Sequence, residues 1–351
     1  MQRGTLSKVS ISDQVKEQAN KEVPAQTLKY DGDDSVMIST GSTLLDLAIS
    51  GGRVRGGGVP GGILVEIFGP SSCGKTVMLC ELAGSIQRQG GQVMFRDPEA
   101  RLNKQFARIF DFEVDNVDYD IVDTVPQMFE PVRTWHPEPK GKIHAMFGDS
   151  LAALSTELEL EDGDKMGMRR AKEFSEQMRK VCRTITHENY LVACSNQIRQ
   201  KFEAQKFEYK YVTPGGEALP FYASLRLRGF GHTKMKDKKS IRGKDLEYVV
   251  GVKTMFEVYK SSVWKPYRVA PVYIVFNYGI DDIRANLEFV KKWSGATTYV
   301  VRGEKLKQSM VDSIAMVEEH DLEAELREET IDLWEELETH FVQPRKPKVR
   351  I

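Results

Sequence analysis

An α/β fold with a mainly parallel central sheet is predicted by three features of this 351-residue chain. First, an apolar run, Ile63-Leu-Val-Glu-Ile-Phe68, leads into Gly69-Pro-Ser-Ser-Cys-Gly-Lys75-Thr76 and an amphipathic stretch from Lys75 to Gln89. Second, strand-like and helix-like patterns alternate from Met37 to about Asn277, as they do when helices cover a parallel sheet. Third, several short apolar runs end in a polar residue, as strands do when they deliver side chains to one edge of a sheet.

The elements follow in chain order. Residues 1–36 are polar, with one short helix candidate between Ser12 and Ala25, and Asp31-Gly-Asp-Asp reads as a linker. The glycine-rich stretch Gly51 to Gly62 predicts a long loop before the first core strand. In the following helix Met78, Leu79, Leu82, Ala83 and Ile86 recur at helical spacing, opposite Glu81, Ser85 and Arg88. Gln92–Arg96 and Ile143–Gly148 are the next strand candidates. A helix from about Arg169 to His187 carries Ala171, Phe174, Met178, Val181 and Ile185 on one face. Leu191–Ser195, Ala223–Arg228, Tyr248–Tyr259 and Val269–Phe276 continue the strand pattern, and the basic segment Lys234–Lys244 reads as a hairpin tip or mobile loop. The core thus spans 37–278. Beyond it, Asp281–Trp293 and Lys307–His320 predict helices of a small C-terminal α/β domain, 279–338, that includes the acidic run Leu322–Leu337. A basic tail, 339–351, closes the chain; both charge runs also suit plain solvated surface.

Composition sets further bounds. A net charge of −1 means that any nucleic-acid surface must be local. Four cysteines, 73, 80, 182 and 194, form no C-x-x-C pair, which predicts reduced thiols in a cytoplasmic protein and neither a disulfide framework nor a zinc site. No stretch approaches 18 apolar residues, so no transmembrane helix and no membrane partner are expected, and the N-terminus lacks the apolar core of a signal peptide.

The chemistry begins at Gly69–Thr76, whose spacing is that of a nucleotide phosphate cradle between a strand and a helix. Backbone N–H groups of Gly69, Pro70, Ser71, Ser72, Cys73 and Gly74, proline excepted, are candidates to turn toward phosphate oxygens, helped by the positive end of the helix. Lys75 would reach the β- and γ-phosphates and Thr76 would hold Mg²⁺ through its hydroxyl. Asp149 ends an apolar run and is the second metal candidate, the alternative being an ordinary cap ahead of Ser150. Glu99, just past the strand 92–96, is placed to orient or deprotonate an attacking water. Gln197, at the end of another strand, is placed to sense the γ-phosphate. Directly behind it, Arg199, Lys201, Lys206 and Lys210 interleave with Phe202, Phe207, Tyr209 and Tyr211, up to Gly215 and Gly216. Cations among aromatics suit single-stranded DNA, although Glu203 and Glu208 leave a plain amphipathic hairpin open.

Taken together, these residues resemble the RecA family of DNA strand-exchange recombinases. The resemblance runs in order through Ile38-Ser-Thr-Gly-Ser-Thr-Leu-Leu-Asp46, Val65 to Thr76, Asp149-Ser-Leu-Ala-Ala-Leu154, Gln177-Met-Arg-Lys180, Asn196-Gln-Ile-Arg199 and Gly215-Gly-Glu-Ala-Leu-Pro-Phe-Tyr-Ala-Ser224. It implies a RecA-type phosphate-loop ATPase core, with a short N-terminal helical segment and a small C-terminal domain. It implies Glu99 as catalytic glutamate, Gln197 as γ-phosphate switch, Phe106 on the adenine ring and Asn103 near the same base. Glu157–Met166, with Arg169 beyond it, resembles the first DNA-binding loop, and Ile198–Pro214 the second; Phe221 resembles a relay across the subunit interface. Where the family has two lysines that reach a neighbour's ATP, Tyr259-Lys260-Ser261-Ser262 keeps only Lys260, with Lys265 or Arg268 as possible substitutes.

The expectation is an ATP- and Mg²⁺-dependent recombinase, polymerised as a homo-oligomeric helical filament on single-stranded DNA and pairing it with duplex DNA. The missing lysine implies slow hydrolysis. A hexameric DNA motor and an ATP-liganded DNA-binding regulator are the alternatives at this point. Two inserts, Gly51–Gly58 and Lys234–Lys244, have no assigned role, and the divergence suggests a phage or mobile-element copy.

Overall fold

The computed structural model describes residues 36–156, 166–200, 211–342 and 345. Nine strands form the central sheet: β1 Ile63–Gly69, β2 Val93–Arg96, β3 Asp118–Asp120, β4 Ala145–Gly148, β5 Leu191–Gln197, β6 Leu225–Ile241, β7 Lys244–Ser261, β8 Val269–Val275 and β9 Gly279–Ile280. Their order is β9-β8-β7-β6-β1-β5-β4-β2-β3. From β6 to β3 every pairing is parallel, and from β6 outward to β9 every pairing is antiparallel. The chain therefore carries one sheet with two characters.

The parallel strands read as continuous apolar runs because both faces are covered. Val65, Ile67, Ala145, Phe147, Leu191 and Ala193 face one core, while Leu64, Met146, Val192 and Cys194 face the other. Helix α1 Thr43–Ser50 packs on the antiparallel strands β7 and β8, and the helices around the parallel strands are α2 Lys75–Arg88, α3 Lys104–Arg108, α4 Val125–Phe129, α5 Pro131–Thr134, α6 Met166–His187 and α7 Ala218–Tyr222. Met78, Leu79, Leu82, Ala83 and Ile86 of α2 fill the first core; Phe174, Met178, Val181 and Ile185 of α6 fill the second. A carboxylate lies fully buried inside the sheet. Glu66 accepts hydrogen bonds from Arg226 Nε at 2.6 Å and from Asn196 Nδ2 at 2.9 Å, which satisfies a carboxylate that has no access to water.

Three expectations change in detail. Gly51–Gly62 is not simply a loop: Val59–Pro60 pairs with Met37–Ile38, and Arg55 bridges to Glu328, Asp332 and Glu335 at 2.7, 2.8 and 3.0 Å. Lys234–Lys244 is strand almost to its turn, with Ile241 paired to Lys244, so local pairing carries the ladder well past the core. The large sheet also runs past 278, because Gly279–Ile280 pairs with β8.

The remaining helices, α8 Asp282–Ser294, α9 Met310–Glu319 and α10 Glu323–Thr339, pack with the two-stranded hairpin Val300–Val301 and Glu304–Lys305 around Leu287, Val290, Val317 and Leu326. This unit is bonded to the core along a seam. Asp282 accepts from both the backbone N–H and the hydroxyl of Thr43, each at 2.7 Å, and Ile331 and Trp334 pack on Leu47. The acidic helix α10 is thus part of the seam. Among the described residues no helix is long and apolar enough to cross a membrane.

Candidate nucleotide site at the C-terminal edge of the parallel strands

Four parallel strands end at one edge, and each delivers a polar group there. Gly69 at the end of β1 lies opposite Gln197 on β5, and Arg96 on β2 lies opposite Gly148 on β4, just ahead of Asp149. The β1–α2 turn needs left-handed backbone at Ser72 and at Gly74, whose φ is +92°. Gly74 occupies the N-cap of α2 without a side-chain cap, so the first N–H groups of the helix face the loop with no side chain taken as partner. A side chain on Gly74 would run into Ile274, so glycine here serves both the turn and the cleft.

A cleft of about 620 Å³ opens over this turn. Ser71, Ser72, Gly74, Lys75, Thr76, Glu99, Asp149 and Gln197 line its polar end, while Phe106, Ile109, Phe110, Val252 and Ile274 line its apolar end. Gly69 and Pro70 are not part of the lining; their carbonyls accept from Lys75 Nζ at 3.2 and 2.8 Å. Cys73 is buried beneath the loop, and that burial pushes its thiol above the usual range.

The carboxylates are tightly held. Thr76 Oγ1 donates to Asp149 Oδ2 at 2.6 Å, and Ser195 Oγ donates to the other oxygen. Burial raises the Asp149 pKa, and the two hydroxyls pull it back. Glu99 Oε1 accepts from Ser150 Oγ at 2.9 Å and from Gln197 Nε2 at 3.4 Å. Its other oxygen pairs with Arg101 at 2.7 Å. A hydroxyl and one carboxylate side by side fit Mg²⁺, a hard ion that keeps several waters and takes its remaining ligands from substrate phosphates. Among the described residues no cluster of three metal-ligating side chains offers a competing cage.

Sequence reasoning missed the apolar wall from β7 and β8, because nothing local marks Val252 or Ile274 as facing a ligand. It also missed Arg101. The signal for Arg101 was its place two residues after Glu99 in a turn tied down by Asp97, which accepts from the backbone N–H groups of Glu99, Arg101 and Leu102.

Other candidates lie elsewhere. Asn103 is absent from the cleft lining and instead caps α3, its Oδ1 accepting from Phe106 N–H at 2.7 Å. Lys260 is outside the cleft of its own chain and donates to the carbonyls of Pro220 and Phe221 at 2.7 and 3.0 Å. Desolvation, then Arg226, lowers its pKa. Phe221 beside it is 75% exposed. Lys265 and Arg268, the possible substitutes for the missing lysine, both pair with Glu338 of α10. Lys201, Phe202, Lys206, Phe207 and Lys210 lie outside the described residues, as does Glu157–Lys165. For Arg169 and Arg199 the backbone alone is described, in α6 and in the two-residue strand Arg199–Gln200. Gly215 and Gly216 have φ of +101° and +65°, and a side chain on Gly216 would press on Ala171 of α6. Their glycine is therefore needed for packing.

Comparison with known proteins agrees with this geometry. The family model described as the RecA N-terminal domain matches residues 13–281. The protein named RecA of Rhodospirillum rubrum is 35% identical over 302 residues, covering 82% of this chain and 77% of its own. RecA of Acinetobacter baylyi is 32% identical over 338 residues, with 90% of each chain covered. RecA of Delftia acidovorans is 34% identical over 285 residues, covering 78% of this chain and 72% of its own.

Proposed function

The chain belongs to the RecA family, and from that premise we propose that it is an ATP-dependent recombinase acting as a helical filament on single-stranded DNA. One observation carries the reading. Gln197 bonds to Glu99 inside the cleft, and it is the last residue of its strand, directly ahead in the chain of Ile198–Pro214, the cation- and aromatic-rich segment. A change at the γ-phosphate therefore has a covalent route to the DNA-binding candidates.

In the proposed mechanism the loop and the N-terminus of α2 bind the phosphates, and Lys75 leaves the carbonyls of Gly69 and Pro70 to meet the β- and γ-phosphates. Thr76 and Asp149 would hold Mg²⁺, which when bound neutralises charge on the phosphate oxygens. Phe106, Ile109 and Phe110 on one side and Val252 and Ile274 on the other offer the base an apolar slot. Glu99 orients a water and takes its proton as the water oxygen bonds to the γ-phosphorus. The bond from phosphorus to the bridging oxygen breaks, and its electron pair stays on ADP. Gln197 loses its γ-phosphate contact when the product leaves. Lys260, outside this cleft, suits contact with the nucleotide of a neighbouring subunit, and the exposed Phe221 beside it suits a relay across the same interface. With Ser262 in place of a second lysine and Arg268 held by Glu338, DNA-stimulated hydrolysis is proposed to be slow. Duplex DNA is the second partner. A reducing, cytoplasmic setting belongs to the same proposal, supported by four unpaired cysteines.

Electron microscopy with single-stranded DNA and a non-hydrolysable ATP analogue, paired with a strand-exchange assay, tests this. Helical filaments and homologous pairing are expected. Closed rings that unwind duplex without pairing would overturn the reading in favour of a motor, and DNA binding indifferent to nucleotide would favour a regulator.

A further inference from the structure

Arg101 has no role in the reading above, yet it lines the same cleft as Lys75, Thr76, Asp149 and Gln197. Its backbone is fixed, because Asp97 accepts from the N–H groups of Arg101 and Leu102 at 2.8 Å each and is itself bonded by the Tyr119 hydroxyl at 3.0 Å. Its side chain is 76% exposed and touches Glu99 through the guanidinium. A fixed base with an exposed arm lets the guanidinium change partners without moving the backbone.

The charges around it say which partner it should choose. The charged side chains lining the cleft are Lys75, Glu99, Arg101 and Asp149. Lys75 is satisfied by carbonyls and Asp149 by hydroxyls, so Arg101 and Glu99 form the one ion pair among them. Glu99 accepts on both oxygens, from Ser150 and Gln197 on one and from Arg101 on the other. A triphosphate entering the cleft brings several negative charges against the single charge of Glu99. Planar guanidinium groups bind phosphate oxygens in a two-pronged fashion.

We infer that Arg101 is a catalytic residue whose guanidinium exchanges its partner Glu99 for the γ-phosphate when ATP binds. The transfer does two things at once. It frees one oxygen of Glu99 for water, and it puts a cation where negative charge builds up during hydrolysis, a task elsewhere performed by arginine fingers. No covalent bond of Arg101 changes; it keeps its proton throughout. The inference rests on the ATPase reading, but the affinity measurement below does not.

The test compares wild type with Arg101→Ala and Arg101→Lys for binding of ADP and of a non-hydrolysable ATP analogue, and for hydrolysis. Arg101→Ala should cut the preference for the analogue over ADP by about tenfold, the worth of a charged hydrogen bond. It should also lower kcat by about tenfold or more with KM little changed. Arg101→Lys should recover part of both, because an ammonium supplies charge without the fork. Glu99→Gln, which removes the competing ion pair, should bind the analogue more tightly than wild type. An unchanged preference in Arg101→Ala, an unchanged kcat in that variant beside a hydrolysing wild type, or weaker analogue binding by Glu99→Gln overturns the exchange. If wild type itself does not hydrolyse ATP, the functional reading fails, and the analogue-over-ADP preference still decides whether Arg101 meets the γ-phosphate.

Discussion

The candidate nucleotide cleft and the seam beneath the C-terminal unit are built from the same kinds of bond. In the cleft, Asp149 accepts from Thr76 and Ser195, and Glu99 from Ser150, Gln197 and Arg101. In the seam, Asp46 accepts from Ser39 Oγ, Thr40 N–H and Thr40 Oγ1 at 2.6, 2.8 and 2.7 Å, and Asp282 from Thr43 and Asn286. The difference is space. The cleft carboxylates border a cavity of about 620 Å³, so an incoming ligand can replace their partners. The seam carboxylates border packed protein, so theirs are permanent. One bonding pattern gives exchange where it meets a cavity and cohesion where it does not.

The largest effect that separates the two regions should come from Lys75→Ala. Loss of a charged contact to the phosphates predicts nucleotide binding weaker by about a hundredfold, read by displacement of a fluorescent ATP analogue. Amide exchange in α8 and α10 should not change; faster exchange there would break the division between cleft and seam.

A middle-sized effect should appear in pH. Burial lifts the Asp46 carboxyl to about 6 and, near the same seam, the Glu81 carboxyl to about 7. Both groups bind protons more tightly folded than unfolded, so their contribution is fully present below about pH 4 and is lost as pH rises through 6 and 7. Denaturant midpoints should reflect this loss, and Glu81→Gln should flatten its upper part. A Glu81→Gln profile identical to wild type between pH 5 and 7 would refute the assignment.

The smallest effect belongs to Arg55→Ala. Its three partners sit on one face of α10, but more than a third of the Arg55 side chain is exposed. Solvent screening therefore limits the loss to about 1 kcal/mol. Hydrogen exchange should speed up in 323–339 and leave α2 alone; an equal rise in α2 would mean that cleft and seam open together.

The two regions also differ in how far they could be read from the chain alone. The cleft was legible where chemistry is local: Gly69–Thr76 has a fixed spacing, and Asp149 and Gln197 each close an apolar run. The same local logic gave most strands of the sheet, and helices α2, α6, α8 and α9 to within a few residues, but not the short helices α1, α3, α4, α5 and α7 or the edge strand β3. Asn103 shows its limit, since an Asn just before a helix serves equally as cap and as ligand, and here the cap is made. The seam was illegible for a different reason. Thr43 meets a partner 239 residues away and Arg55 one 280 residues away, and no periodicity links such positions. The insert at Gly51–Gly58 has no role legible in the sequence because the partners of Arg55 on α10 lie 273 to 280 residues away.

One further consequence comes from Asn196. Its amide donates to Glu66 at 2.9 Å and to the carbonyl of Pro214 at 3.0 Å, while Arg199 pairs with Val212 and Gln200 with Tyr211. The entrance and exit of the segment behind Gln197 are thus tied together in the folded core. Closing a loop of this length costs entropy that grows with the logarithm of its size, and folding has already met that cost. Folding alone therefore sets where the chain leaves the core behind Gln197 and where it returns at Pro214.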